Sequence, residues 1–76
     1  MKNTTISNEP WKRLVASLAE RAREKGMTQQ EIARNTGYFQ QNISRFFQMT
    51  HAPRLDVFLT ISKAIGVHFH STDDPA

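Results

Sequence analysis

Apolar residues recur at helical spacing in four separate runs along the chain, and the polar residues between the runs set where each begins and ends. The first run is Trp11, Leu14, Val15, Leu18 and Ala22, opposed by Lys12, Arg13, Glu20, Arg23 and Glu24. Pro10 suits the first turn of this predicted helix, Ser7 or Asn8 offers a cap, and Gly26 ends it. The second begins after Thr28. The residues T-Q-Q-E, Thr28 to Glu31, form a capping box in which a hydroxyl and a carboxylate satisfy backbone amides that have no helical partner. This helix turns Ile32 and Ala33 inward and stops at Gly37, a residue able to take the left-handed backbone of a tight turn.

The third predicted helix covers about Gln40 to Gln48. On a 3.6-residue wheel Gln40, Gln41, Ser44, Arg45 and Gln48 make one polar arc, Ile43 and Phe46 point the other way, and Phe47 lies at the inner margin. A loop from Met49 to Arg54, with Pro53 near its end, leads to the fourth run. There Leu55, Val57, Phe58, Leu59, Ile61, Ala64 and Ile65 leave a narrow polar stripe of Asp56, Thr60 and Lys63, so this helix is expected to be the most enclosed, and Gly66 closes it. Beyond Gly66 the period shortens. Val67 and Phe69 alternate with His68 and His70, the pattern of a half-buried strand over 67–70. A lone strand has no backbone partner. Its simplest partner is the same strand of a second copy, which makes Val67 and Phe69 the expected dimerisation residues.

The fold class expected is therefore all-α: four helices over 10–66, then a short C-terminal strand paired across a dimer. Segments 1–9 and 71–76 are polar and expected to be flexible.

Two short helices hinged at a glycine, with a polar outer face on the second, describe a helix-turn-helix. Such a unit lays its second helix in the major groove of double-stranded DNA, leading with its N-terminal residues. Glutamine offers a donor and an acceptor complementary to an adenine edge, and arginine donates twice to guanine. Gln41 and Arg45 are one helical turn apart and can address neighbouring base pairs. Gln40 can read a base or brace a phosphate; Ser44 can approach either, or be a neutral surface residue. Phosphate contacts are expected from other elements: Gln29 in the first turn of the second helix, Tyr38 in the turn, and Arg54 before the fourth helix.

Composition narrows the rest. A chain of 76 residues is expected to hold one domain with a core small enough to gain from a partner's surface. The formal net charge of +3 is compatible with a polyanionic partner without requiring one. No cysteine is present, which fits a reducing cytoplasm and removes thiolate metal sites. No stretch reads as a signal peptide or a membrane span. His51, His68 and His70 have no carboxylate or thiolate completing a metal set, and no nucleophile, base and orienting group share a recognisable spacing; neither a cofactor nor catalysis is expected.

Residues 11 to 66, and above all GMTQQEIARNTGYFQQNISRFFQM continuing into LDVFLTISKAIGV, resemble the lambda and 434 repressor, or Cro/C1-type, helix-turn-helix family. Thr28, Gln29, Glu31, Ile32, Ala33, Gly37, Gln40, Ile43, Ser44 and Arg45 carry the resemblance. It implies that Gln29 and Gln40 contact the DNA backbone or set register, and that Gln40, Gln41 and Arg45 touch bases. It also implies a dimeric transcriptional regulator, expected to act as a repressor. Three positions depart from the pattern: Phe39 stands where a Ser or Thr usually caps the third helix, and Phe47 and Met49 replace the usual Glu and Gly. The common fifth helix is missing. In its place VHFHS resembles the C-terminal strand of the HipB-like branch, antitoxins paired with a kinase toxin, so the alternative partner is a protein toxin.

Overall fold

The computed structural model describes residues 9–69. Four helices follow in order: α1 (Pro10–Glu24), α2 (Gln29–Thr36), α3 (Gln40–Gln48) and α4 (Leu55–Ile65). Among the described residues there is no strand: Val67 to Phe69 have no regular secondary structure, and His70, the last residue of the expected strand, lies outside them. Residues 1–8, with the candidate caps Ser7 and Asn8, and the expected tail 71–76 also lie outside. The residue before α1 is Glu9, which makes no side-chain cap, and Pro10 fills the first helical position, where a missing amide hydrogen costs nothing.

Local chemistry explains most of the boundaries. Behind Glu24 the chain turns through Gly26 at φ 70°. The Gly26 amide donates to the Arg23 carbonyl at 3.0 Å and the Met27 amide to the Ala22 carbonyl at 2.9 Å, which satisfies the last carbonyls of α1. At α2 the predicted capping box is present in both directions: the Glu31 amide donates to Thr28 Oγ1 and the Thr28 amide to Glu31 Oε1, each at 3.1 Å. Gly37 ends α2 at φ 82°. The Phe39 side chain gives the start of α3 no capping bond, and Met49 ends that helix in the left-handed region at φ 59°, a conformation that costs a side-chain-bearing residue. At the end of α4 the amides of Gly66 and Val67 donate back to Lys63 and Ser62. Lys25 Nζ, at the end of α1, donates to the Ile65 carbonyl at 2.7 Å.

Val15, Leu18 and Ala22 of α1, Ile32 and Ala33 of α2, Ile43 and Phe46 of α3, and Phe58, Ile61 and Ile65 of α4 make up the core. Helix α2 packs against both α3 and α4, and α1 closes the other side of the same two helices. Ala33 is small where those helices meet, as its buried position requires. Phe46 joins the layers, with Phe47 edge-on at 4.9 Å and Phe58 at 6.3 Å between ring centroids.

Two sequence expectations change. Leu14 was expected on the inner face of α1 and is exposed, because Val15, Leu18 and Ala22 already span the face that meets α3 and α4. Helix α4 is enclosed on one side only: Phe58, Ile61, Ser62 and Ile65 are buried, while Leu55 is 71% exposed and Leu59 43%. Its apolar residues cover more of the circumference than three short helices can cover. Ser62 enters the core by keeping its hydroxyl within the helix, donating to the Phe58 carbonyl at 2.7 Å.

Candidate nucleic-acid interface

The turn between α2 and α3 is fixed from inside. The Thr36 hydroxyl lies 2.8 Å from the Ile32 carbonyl, to which it donates, and accepts the Tyr38 amide at 3.2 Å. With Gly37 taking the left-handed step, α3 leaves this turn with Ile43 and Phe46 pressed inward, at 0% and 7% exposure. Everything between them on the outer side is then forced outward by the helical period. Gln40, Gln41, Arg45 and Gln48 are exposed and Ser44 is half-buried, so the polar arc predicted from the sequence is an outward ridge. Among the described residues no side-chain hydrogen bond or ion pair occupies Gln40, Gln41 or Arg45. Their donors and acceptors are directed to solvent.

The cations of α1 and the ridge of α3 differ in how they are engaged. On α1, Lys12 pairs with Glu9, Arg21 with Glu24 and Arg23 with Glu20, all one turn apart. Lys25 is engaged by the Ile65 carbonyl. Exposed pairs of this kind contribute little to stability, but they offset much of the positive charge of α1. Arg45 carries its charge without a carboxylate partner among the described residues.

The other candidate residues flank the ridge unequally. Gln29 is exposed in the first turn of α2, where backbone amides point outward. Tyr38 is half-buried and packs against the core, so only part of its ring remains available. Arg54 is exposed just before α4, with its guanidinium 3.2 Å from the Asp56 carboxylate. A phosphate reaching Arg54 has to compete with that carboxylate. Val67 is half-buried against the core, and Phe69 stacks on Phe58 at 5.4 Å while remaining 47% exposed.

Two groups near the ridge escaped the sequence reading. Asn42 is exposed on the flank of α3 beside Arg45, and His51 is exposed in the loop that follows; together with Arg45 and Arg54 they line one groove of about 290 Å³. Asn42 fell outside the polar arc, and a loop histidine has no period to place it. The signal that could have found Asn42 is its position one turn before Phe46 and next to Gln41. A second groove of about 430 Å³ lies between the end of α1 and the start of α2, lined by Met27, Ile32 and Phe47 among others. The Phe47 that replaces the family's usual Glu is thus an apolar wall of this groove, half-buried and in edge contact with Phe46.

The arrangement of α2, turn and α3 is a helix-turn-helix, and comparison with known families agrees. The model of a family described as helix-turn-helix matches residues 18–70, so the chain belongs to the Cro/C1-type helix-turn-helix family. It is a DNA-binding transcriptional regulator of that class. No curated protein and no solved structure matches the chain. None of the described helices is long and apolar enough to cross a membrane.

Proposed function

We propose that the protein is a sequence-specific regulator that binds double-stranded DNA as a homodimer and represses transcription in the cytoplasm by occupying a near-palindromic operator. The observation that carries this reading is the two-faced α3: Ile43 and Phe46 are buried behind an exposed ridge of Gln40, Gln41 and Arg45. In the proposed complex Gln41 and Arg45 read bases, Gln40 reads a base or sets register, and Ser44 approaches at close range. Gln29, Tyr38 and Arg54 hold phosphates on either side. The exposed Leu55 and Leu59, with the half-covered Phe69, supply apolar surface for a second copy beside Val67. The two-fold symmetry of such a pair would place two α3 helices in successive major grooves on one side of the duplex.

Selection of binding sites from a randomised duplex library by the full chain tests the reading directly. Enrichment of an inverted repeat with half-sites about one helical turn apart is the expected result. Recovery of random sequences would overturn sequence-specific regulation. The same exposed apolar surface suits a second reading, that of an antitoxin which neutralises a protein toxin and binds its own operator. Stoichiometric co-purification with a larger protein, encoded by an adjacent gene and inhibited by the complex, separates that reading from a stand-alone repressor.

A further inference from the structure

Among the described residues Phe39 is the most exposed of the large apolar side chains, at 77%. It stands between Tyr38, which packs on the core, and Gln40, the first residue of α3, in extended backbone at φ −71° and ψ 145°. Its ring meets no other aromatic ring among the described residues and takes no part in the core. Only the main chain of Phe39 serves the fold: its carbonyl accepts the Asn42 and Ile43 amides at 2.9 and 3.2 Å, which starts α3. The side chain does nothing for that helix, because a hydrocarbon cannot accept from the first-turn amides as a hydroxyl or carboxamide would. An apolar ring held in water at the mouth of α3, where a polar side chain would cap the helix, has no account within the chain itself.

We infer that Phe39 is a specificity-determining residue whose ring lies against the C5-methyl group of a thymine in the major groove. The inference rests on the DNA-reading function proposed above and adds to it a contact that hydrogen-bonding side chains are not built to make. Gln40 and Gln41 follow Phe39 directly and are exposed, so the ring is continuous with the α3 ridge at the end that leads into the groove. A phenyl group has no conventional donor or acceptor and cannot read the polar edges of the bases. The thymine methyl is the one apolar group that the four bases present in the major groove. Laying the ring on it takes apolar surface of both partners out of water. Cytosine methylated at C5 presents the same group in the same place, so this contact also makes binding respond to cytosine methylation.

The test uses the full chain and a duplex recovered by selection, in which each thymine of a half-site is replaced in turn by deoxyuridine. That exchange removes the methyl and leaves every hydrogen-bonding group of the base pair in place. At one thymine per half-site the affinity should fall about fourfold, the worth of burying one such group. Cytosine at that position should bind more weakly than 5-methylcytosine by a similar factor. Phe39→Ser should bind the thymine and deoxyuridine duplexes equally, with a urea midpoint no lower than that of the parent. Phe39→Leu, apolar but without the ring, should keep part of the preference. A merely structural role would move the midpoint and leave the thymine-to-deoxyuridine ratio alone. A parent chain indifferent to every thymine methyl overturns the inference while leaving the DNA-reading function standing. So does a preference undiminished in Phe39→Ser, which would assign the methyl to another side chain and leave the ring to a protein partner. Should Phe39→Ser not fold, Phe39→Leu decides, an undiminished ratio overturning the inference and a reduced one supporting it. Failure to recover any preferred duplex overturns the DNA-reading function and the inference with it.

Discussion

At the scale of single residues, two departures from the family pattern bear on α3: Met49 ends it in the left-handed region and Phe39 leaves its start uncapped. Phe39 precedes α3 with its side chain 77% exposed and no capping bond, leaving first-turn amides to solvent. Phe39→Ser should therefore stabilise the domain by about 1 kcal/mol, the usual worth of an N-cap, read as a rise in the urea midpoint at unchanged slope. A lower midpoint would mean that the ring packs on something the helix needs. The glycines separate conformational from steric cost. At Gly37 a Cβ meets nothing within 4 Å, so Gly37→Ala should cost only the left-handed backbone penalty, about 1 to 2 kcal/mol. At Gly66 the added carbon would collide with the Lys25 ammonium, and Gly66→Ala should cost more than Gly37→Ala by breaking the Lys25 bond to the Ile65 carbonyl. Equal losses in thermal denaturation would show that this bond contributes nothing.

At the scale of the helices, α3 performs two tasks with two separable faces. Ile43→Ala removes a fully buried side chain and should cost about 2 to 5 kcal/mol of stability, with DNA binding lost only as the fold is lost. Arg45→Ala should leave the denaturation midpoint nearly unmoved and cost about 1 to 3 kcal/mol of discrimination at one base pair. By contrast Arg54→Ala should weaken all sequences alike and lower the salt slope by about 1. Equal losses of Arg45→Ala on selected and random duplexes would remove it from base reading. The boundaries of α2 and the end of α4 were legible because they are written in local chemistry, a capping box at Thr28 and left-handed glycines at Gly37 and Gly66, whereas α3 and the start of α4 have no such cap and were placed by apolar spacing. Orientation was legible for α3, whose polar and apolar residues divide cleanly. It was not for α4. Its apolar residues occupy nearly the whole circumference, so periodicity alone had no way to choose Ser62 for the interior and Leu55 for the surface. The place of His51 beside Arg45 and Arg54 was not legible, since the groove they line is assembled from α3, the loop and the start of α4.

At the scale of the whole molecule, the question is what completes a domain whose core draws on ten buried apolar residues. Short domains gain from added buried area, and Leu55, Leu59 and Phe69 leave apolar surface uncovered. Sedimentation of the full chain should give the mass of a dimer, and a chain ending before Val67 should sediment as a monomer. A full-length monomer at concentrations that saturate DNA would remove strand-mediated pairing. The alternation of Val67 and Phe69 was readable in the sequence, but strand pairing is a property of two chains and has no counterpart in one. The described segment instead rests Phe69 on Phe58, so any pairing must use the edge and face of that ring that remain open.

The amine of Lys25 reaches a carbonyl 40 positions further along the chain. The end of the first helix and the end of the fourth are thus fastened to each other by a single flexible arm. Acylating that amine would remove the fastening while leaving the amides and guanidinium of α3 chemically unaltered.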